Sequence, residues 1–438
     1  MSVDEAKSAV LAVVEAAVSQ EEWRGRSTLN LIASENRMSP LARALLASDF
    51  NHRYAEGEPF DREYQGCRFV DEVESLCLEL ASKLFRAKFV DVRPISGTLA
   101  NLAVFFAAAK PGDSLLALSI PNGGHISCSE LGAAGYRGLR VHPLPLNRED
   151  LTIDVGALAE LMESVRPRVV TLGGSLILFP HPVREVKRLA EPYGCTVHYD
   201  AAHVLGLMAG GAFQDPLAEG ADVVSGSTHK TLPGPQGGML LSNCEPLFKK
   251  VKRAVFPGLV SNHHLARLAS LAVTLAEMAV YGREYALQVV RNSKSLAKAL
   301  RDHGFNVLGS HRGFTESHQV VLDVSSLGGG GPTSRRLEQA DIIVNKNLLP
   351  WDALERAREP SGIRLGTQEV TRVGMREGEM ERVAELMARL LIKKEDPELI
   401  KREVHELVAE FNTVKYSLSE PSLVEELLGR LFPSRPGA

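Results

Sequence analysis

One lysine in this chain has sequence neighbours that are typical of a reactive side chain rather than of a solvent-exposed one. Lys230 follows a short apolar strand beginning at Asp222, and it lies between small hydroxyl residues and the glycine-rich loop 234–238. A lysine amine held beside a phosphate pocket can attack a carbonyl carbon and form a Schiff base. An arbitrary lysine is a solvated surface charge, but burial near other cations would lower the pKa of this amine and make it nucleophilic.

A carboxylate and an imidazole end an apolar strand upstream, at Asp200 and His203. Such a pair could be half of a metal site, but no further cluster of histidines or carboxylates completes one, so we expect no metal. A carboxylate at a strand end can instead face a pyridine nitrogen and keep it protonated. Together with Lys230, this pair predicts that the chain binds pyridoxal 5'-phosphate.

Two loops near predicted strand ends are open to two interpretations each. Ser96-Gly97-Thr98 opens a predicted helix, so its amides and hydroxyls could bind phosphate or could form an ordinary helix cap. His125 follows two glycines and could either stack on an aromatic cofactor or be a plain loop histidine. Spacing alone does not choose between these alternatives.

Two further groups could act on a substrate. Glu56 lies between Tyr54 and Tyr64 in a polar, aromatic loop, where it could be a general acid–base group or a surface residue. Arg364 lies between apolar residues and glycines, and it could clamp an amino-acid carboxylate or form a structural ion pair.

Short apolar strands that alternate with helical patterns are expected to position these residues. The predicted strands are Phe89–Arg93, Ser114–Leu118, Leu139–His142, Val169–Gly173, Thr196–Asp200, Asp222–Ser225 and Gly238–Leu241. Helical patterns near 98–109, 155–165 and 183–192 separate several of them. This alternation predicts an α/β fold with a mainly parallel sheet covered by helices. Ligands bind such sheets at the carboxyl ends of the strands, where Asp200 and Lys230 lie.

The chain divides into an arm and two domains by pattern. We predict an N-terminal arm over 1–28, a large domain over 29–284 and a smaller domain over 285–438. The arm is an amphipathic helix whose valines, such as Val10 and Val14, could pack on a partner subunit or on their own domain. A long helical zone over 263–303 leads into the smaller domain.

The smaller domain combines strands and helices. Its predicted strands are Gln319–Val324 and Asp341–Val344, and its tail over 378–412 is charged and helical. The glycine run 328–331 predicts a flexible loop, and it lacks the Gly-Lys-Ser/Thr ending of a phosphate loop.

The amino-acid composition restricts the classes of binding partner and the cellular compartment that we expect for this protein. The 438 residues are 44% hydrophobic and 24% charged with a net charge of −4, so no global attraction to nucleic acid or anionic membrane is expected. Five dispersed cysteines without a C-x-x-C pair fit a reducing cytoplasm. No secretory signal is evident, and the longest apolar run, Leu102–Ala109, is shorter than the about 20 residues that span a bilayer.

A set of short motifs occurs in the order of one known family, from about residue 29 to 375. They are Leu31–Asn36, Arg53–Gly57, Gly123–His125, Asp200–His203, Ser227–Thr231, Val344–Asn347 and Gly362–Thr367. On these motifs the chain resembles serine hydroxymethyltransferase. Further motifs resemble the archaeal-type branch: His52–Glu56, Tyr64–Cys67, Gly234–Gly238, Phe256–His264 and Thr315–Gln319.

The resemblance implies fold type I of the pyridoxal-phosphate enzymes and a homodimer with shared active sites. Lys230 would carry the Schiff base, Asp200 would pair with the pyridine nitrogen, and His125 would stack on the ring. His203 would lie near the phenolic oxygen. The other residues implied for the phosphate and ring pocket are Ser96, Gly97, Thr98, Ser175, Ser227 and His229.

The resemblance also implies the substrate contacts. Ser34 and Arg364 would hold the substrate carboxylate. Tyr54, Glu56 and Tyr64 would reach into the site from the neighbouring subunit, Tyr54 beside the cofactor and Glu56 handling protons. The catalytic set implied in this way is Lys230, Glu56, His229 and Tyr64.

The implied reaction is reversible retro-aldol cleavage of serine to glycine, with transfer of one carbon to tetrahydrofolate or tetrahydromethanopterin. One loop departs from the family pattern: after Gly57 the family has an aromatic or aliphatic residue and then Pro-Gly-Lys-Arg, whereas this chain has Glu58-Pro-Phe60-Asp61-Arg62-Glu63. This loop lies beside the one-carbon carrier in the family. The departure keeps open an alternative, a threonine aldolase or transaldolase that needs no pterin.

Overall fold

The computed structural model describes residues 1–432, and its centre is a seven-stranded sheet. The strands are β1 Phe89–Asp91, β2 Ser114–Ala117, β3 Arg140–Pro143, β4 Val169–Gly173, β5 Thr196–Asp200, β6 Val223–Ser227 and β7 Gly238–Ser242. Their spatial order is β1-β7-β6-β5-β4-β2-β3. Neighbouring strands are parallel except that β7 runs antiparallel to both β6 and β1. The predicted α/β fold with a mainly parallel sheet is confirmed.

Three strands of this sheet are covered on both faces. Every residue of β4, β6 and β7 is buried, which explains why these segments read as continuous apolar or small-residue runs rather than as an alternation. The helices of this part of the chain are Arg68–Phe85, Gly97–Ala108, Ala133–Tyr136, Val155–Val165, Val183–Ala190, Leu205–Ala209, Pro216–Glu219 and Glu245–Arg253.

One helix, Leu265–Asp302, belongs to two hydrophobic cores. Leu271 and Leu275 lie in the core around the large sheet, whereas Leu296 and Leu300 lie in a second core further along the chain. The predicted domain limit at 284/285 falls inside this helix, and the domain limits stay predictions. The helix is long and apolar enough to cross a membrane by length and composition, but 72% of its most apolar window is buried inside the protein.

The second core lies under a four-stranded antiparallel sheet. Its strands are β8 Asn306–Val307, β9 Gln319–Asp323, β10 Asn345–Asn347 and β11 Gly362–Gly366, in the order β8-β9-β11-β10. The helices that follow Asp302 are Gly330–Gln339, Gln368–Arg372, Glu377–Leu391, Pro397–Ala409 and Pro421–Leu431. These strands and helices form the smaller α+β part of the fold that the sequence pattern predicted.

Two predictions for this region differ from the structure. The predicted strand over 341–344 is only Ile342–Ile343, and it pairs in parallel with Leu29–Asn30 rather than with the four-stranded sheet. The predicted loop over 328–331 is wrong for its second half, because a helix begins at Gly330. A Cβ atom on Gly330 would lie 2.2 Å from the carbonyl oxygen of Gly362, so glycine is required there for the helix to approach β11.

The N-terminal arm is a helix, Val3–Glu22, that Ser2 and Glu5 close with a capping box. A short helix, Pro40–Ala44, follows it after the Leu29–Asn30 strand. No residue of the arm helix is buried in its own chain, and Val10 and Val13 are 62% and 71% exposed. The arm therefore does not cover its own domain, which leaves packing on a partner subunit as the open alternative.

Candidate functional site

The ends of two neighbouring strands place the predicted lysine and carboxylate at one cavity. Asp200 is the last residue of β5, and Lys230 follows the end of β6, which pairs with β5 in parallel. The cavity measures about 250 Å³. Its lining residues are Ser96, Gly97, Thr98, Asn101, His125, Gly174, Asp200, Ala202, His203, Ser227, His229, Lys230 and Gln236.

Burial makes Lys230 a reactive amine. The residue is 8% exposed, and its burial, together with the nearby charge of Arg364, lowers the pKa of its ammonium to about 8 even though Asp200 opposes the shift. A substantial fraction of this amine is therefore neutral near physiological pH, which is the state that attacks a carbonyl carbon.

Asp200 is held by two donors that the sequence did not point out. Its Oδ2 accepts a hydrogen bond of 2.8 Å from Nδ2 of Asn101, and its Oδ1 accepts one of 3.0 Å from the backbone N–H of Ala202. Asn101 was missed, although a lone amide in the otherwise apolar helix Gly97–Ala108 is a signal that could have identified it. The carboxylate is thus fixed in direction as well as position.

Asn101 is also the first member of a buried chain of hydrogen bonds. Each group in this chain donates to the next one nearer to Asp200. Because its Nδ2 faces a carboxylate, its Oδ1 accepts from the hydroxyl of Ser225. The Ser225 oxygen then accepts from Nε2 of His198 at 2.8 Å, and Nδ1 of His198 accepts from Thr171 at 3.1 Å. Burial lowers the pKa of His198 to about 4, so this ring is neutral. Every donor in the chain points toward the Asp200 carboxylate.

A second branch from Asn101 orients His125. The Asn101 amide donates to Oγ of Ser127 at 2.9 Å, and the Ser127 hydroxyl lies 2.7 Å from Nδ1 of His125. The backbone N–H of Ser127 also donates to Nδ1, so Nδ1 is an acceptor and Nε2 carries the ring proton. Burial lowers the pKa of His125, which favours the neutral ring. The helix amide therefore positions both the carboxylate and the imidazole of the cavity.

The residues 96–98 fit both interpretations that the sequence left open. Ser96 caps the helix Gly97–Ala108 by accepting from the N–H of Leu99 at 3.1 Å, and residues 96–98 also line the cavity. A Cβ atom on Gly97 would lie 2.6 Å from Oγ of Ser227, so only glycine lets this helix end approach the opposite wall. The free N–H groups of a helix N-terminus suit a phosphate.

The donor set fits pyridoxal 5'-phosphate. The cavity offers an amine, a carboxylate, a flat imidazole and a helix N-terminus around one space. Within the described part of the chain, Nδ1 of His229 is buried without a hydrogen-bond partner, as expected where a polar ligand belongs. Across residues 1–432, no group of three or more His, Cys, Asp or Glu side chains is arranged to hold a metal ion.

Arg364 lies on β11 beside the cavity, and its charge acts on Lys230 and His125. Its Nη1 donates to the carbonyl oxygen of Ser175, and its Nε lies 3.3 Å from Oδ1 of Asn345. No carboxylate of the described residues forms an ion pair with it, and burial lowers the pKa of its guanidinium to about 10. The structural ion pair is therefore excluded within residues 1–432, and a carboxylate clamp is favoured.

The remaining predicted residues do not line the cavity in this chain. Ser34 is half-buried and lies two residues before Asn36, whose Nδ2 donates to the carbonyl oxygen of Lys230. Tyr54 and Tyr64 line a separate cleft of about 560 Å³, are 52% and 44% exposed, and place their ring centroids 5.5 Å apart. Half-buried Glu56 lies between them in sequence. The structure of one chain does not bring these three to Lys230, and their roles stay predictions.

This chain is similar to known proteins over nearly its whole length. The family model described as serine hydroxymethyltransferase matches residues 8–387. The chain is similar to serine hydroxymethyltransferases of Methanopyrus kandleri, 53% identical over 93% of this chain and 95% of the relative, and of Methanocella arvoryzae, 52% identical over 89% and 92%. Among solved structures, it is similar to the L-threonine transaldolase of Pseudomonas fluorescens, with a TM-score of 0.87, 31% identity, and coverage of 97% and 98%.

Proposed function

Because the chain belongs to the serine hydroxymethyltransferase family of pyridoxal-phosphate-dependent transferases, we propose that it converts serine to glycine reversibly and transfers the hydroxymethyl carbon to a reduced pterin. The observation that carries the proposal is the cavity in which the buried amine of Lys230, the fixed carboxylate of Asp200 and the helix end at Gly97 face one space. Arg364 adds a buried cation with no carboxylate partner in residues 1–432.

Each of these groups has one task. Lys230 would hold the cofactor through its aldehyde carbon, for which a neutral amine is needed, and its pKa of about 8 makes that amine available. Asp200, which Asn101 fixes, would hold the proton of the pyridine nitrogen. The bound cofactor supplies a protonated ring that accepts the electron pair released when the bond between Cα and Cβ of serine breaks.

The substrate is oriented by its carboxylate. Arg364 offers a planar, buried guanidinium, which suits bidentate binding of an α-carboxylate, and Ser34 is the second proposed contact. His125 presents a flat neutral ring whose direction Ser127 fixes, as stacking on the cofactor requires. His203, Ser227 and His229 complete the proposed walls of the pocket.

The proposed enzyme is a homodimer in the cytoplasm. The exposed positions of Tyr54 and Tyr64 support the proposal that they and Glu56 enter the partner's site, where Glu56 moves protons and Tyr54 contacts the cofactor. The arm helix, with no residue buried in its own chain, supports an interface between subunits. The five free cysteines, at 67, 77, 128, 195 and 244, support a reducing compartment.

A second candidate function is aldol chemistry without a pterin. The structural likeness to a threonine transaldolase favours it, as does the altered loop 58–63. In that loop, however, Glu58 forms ion pairs with Arg93 at 3.0 Å and Lys252 at 2.7 Å, so its charge is balanced by its own subunit. The loop difference therefore does not by itself remove a carrier site.

The test compares serine cleavage with and without tetrahydrofolate or tetrahydromethanopterin, and runs threonine cleavage in parallel. We expect serine cleavage to require one of the pterins and to be lost in Lys230→Ala. Borohydride reduction followed by peptide mapping should label Lys230. If threonine is cleaved rapidly and the rate of serine cleavage does not depend on either pterin, the second candidate function is established instead.

A further inference from the structure

The neighbours of His203 determine which of its two ring nitrogens carries the proton. The residue is 2% exposed and lines the cavity beside Lys230. Its Nδ1 lies 3.0 Å from Nε2 of Gln319 and 3.5 Å from Nε2 of His318. Within residues 1–432 no protein group hydrogen-bonds to its Nε2, which leaves that nitrogen for the cavity.

The amide of Gln319 can be assigned without ambiguity. The residue is fully buried, and its Oε1 accepts from the backbone N–H of Ile177 at 2.8 Å. Its Nε2 lies 2.9 Å from the carbonyl oxygen of Ser175, which can only accept. One amide hydrogen thus goes to Ser175, and the second is the hydrogen that faces Nδ1 of His203.

His318 offers no acceptor to the same nitrogen. Its Nε2 lies 3.1 Å from the carbonyl oxygen of Ala33, so this nitrogen carries the ring proton. Burial lowers the pKa of His318 to about 3, so the ring is neutral. Its ring stacks on that of His203 with a centroid distance of 5.6 Å and an interplanar angle of 18°. Neither polar neighbour of Nδ1 of His203 can therefore accept a hydrogen bond from it, because Gln319 presents an N–H group to it and Nε2 of His318 is already protonated and donates to Ala33.

We propose that Gln319 is a positioning residue that holds His203 as the neutral tautomer with its proton on Nε2. A proton on Nδ1 would break the bond to Gln319 and would have no acceptor, since the nearby Nε2 of His318 is itself protonated. A second proton is disfavoured by burial and by the surrounding groups, which are Lys230, Arg364, His318 and His125. His203 therefore presents a fixed N–H donor to the cavity.

The fixed donor suits a negatively charged oxygen. The assignment of that oxygen to the cofactor phenolate or the substrate carboxylate rests on the proposed function, whereas the tautomer does not. Gln319 comes from β9, but the backbone groups of Ser175 and Ile177 that it binds follow β4 of the large sheet. The same side chain thus sets the tautomer and joins the two parts of the fold.

The tautomer can be read directly in the full-length protein before any cofactor is added. Nitrogen NMR of protein labelled with ¹⁵N-histidine distinguishes a protonated from an unprotonated ring nitrogen, and loss of signals in His203→Asn assigns the residue. We expect an unprotonated Nδ1 and a protonated Nε2. Gln319→Met, which removes the donor and keeps the volume, should give a mixture of the two tautomers.

Two further variants sharpen the test. Gln319→Glu places an acceptor beside Nδ1 and should move the proton onto that nitrogen. Ser317→Ala is the control for the junction, because Ser317 donates to the carbonyl oxygen of Ile177 at 2.6 Å and accepts from the backbone N–H of Gln319 at 3.2 Å, but contacts neither the side-chain amide of Gln319 nor His203. It should leave the tautomer unchanged. In the loaded enzyme, Gln319→Met should lose about tenfold in kcat/KM, the value of roughly one hydrogen bond, against less than about twofold for Ser317→Ala.

A protonated Nδ1 in the unaltered protein would overturn the proposal, as would an Nε2–H tautomer that stays unchanged in Gln319→Met. Absence of serine cleavage with a confirmed Nε2–H tautomer would instead refute the proposed function and leave this inference standing.

Discussion

At the scale of single residues, the site is built from buried cations that lack anionic partners. Lys230 and Arg364 are 8% and 7% exposed, and within residues 1–432 neither forms an ion pair with a carboxylate. A buried charge without a partner is destabilising. Binding of an anion such as a phosphate or a carboxylate therefore stabilises the site. The mutual repulsion of these cations is one reason why the pKa of Lys230 is low.

The low pKa of Lys230 predicts how the cofactor-free protein captures pyridoxal phosphate. The neutral amine reacts, so the rate should rise about tenfold between pH 7 and pH 9 and level off above a pKa of about 8. The check is the visible absorbance after rapid mixing across that range, with Nα-acetyl-lysine as the control for titration of the aldehyde itself. A lysine with its ordinary pKa of 10.5 would instead gain about a hundredfold and keep rising.

Asn101 should contribute strongly to the affinity for the cofactor, because it fixes two other groups of the cavity. Asn101→Ala removes the donor to Asp200 and the one to Ser127, so we expect about a 10- to 100-fold loss in affinity for pyridoxal phosphate, the range for one hydrogen bond to a charged group. The measurement is a binding titration by absorbance. Ser225→Ala, which breaks the chain one link further away, should lose less than Asn101→Ala. Equal losses in the two variants would contradict a direct role for Asn101.

At the scale of elements, the loop that carries Tyr54 and Tyr64 is fixed by a buried ionic cluster. Arg62, whose side chain is 3% exposed, contacts Asp71 at 2.8 Å and Glu74 at 2.7 Å on the helix Arg68–Phe85. It also donates to the carbonyl oxygen of Ala55 at 2.8 Å. The loop is therefore held rigidly on its own subunit even though its sequence departs from the family pattern.

Removing Arg62 should destabilise the fold strongly. Arg62→Ala leaves buried Asp71 without a counter-charge and leaves buried Glu74 with only its contact to His263 at 2.9 Å, so we expect a loss of about 3–5 kcal/mol in the free energy of unfolding. Arg68→Ala is the matched control, because the pair of Arg68 with Glu72 is exposed and should be worth less than about 1 kcal/mol. Urea unfolding at one protein concentration measures both. A similar small loss in both variants would show that the cluster does not fix the loop.

At the scale of the whole molecule, one chain leaves apolar surface that its own fold does not use. The arm helix Val3–Glu22 buries no residue, and its exposed valines include Val10, Val14 and Val18. An amphipathic helix without a partner is only marginally stable in water, so this face is expected to pack on another surface. The proposed homodimer supplies that surface.

Charges on this face should weaken the dimer. Val10→Asp with Val14→Asp places two carboxylates on the apolar side of the arm, so the proportion of monomer at micromolar concentration should rise at least tenfold, since two buried valines are worth about 3 kcal/mol or more. Ser8→Asp with Ser19→Asp adds the same charge to the opposite face and should leave the dimer intact. Sedimentation velocity gives the mass of each variant. A monomeric unaltered protein would refute the proposed dimer.

The sequence by itself determined the seven strands, their mainly parallel pairing and the location of the site at their carboxyl ends, but not the order of the strands in the sheet. These features follow from local apolar runs and from short-range motifs such as Asp200–His203 and Ser227–Lys230, which the chain carries over a few residues. The same short-range signals located the ends of the long helix Leu265–Asp302 to within two residues.

Only the tertiary structure decided which distant side chains complete the site. Asn101 meets Asp200, and Gln319 meets His203, across separations of 99 and 116 residues. The helix at Gly330 and the strand pairing of Leu29–Asn30 with Ile342–Ile343 likewise depend on close backbone approach. Hydrogen bonds between elements are fixed by packing of the whole fold, and no local pattern of residues encodes the direction in which a buried amide points.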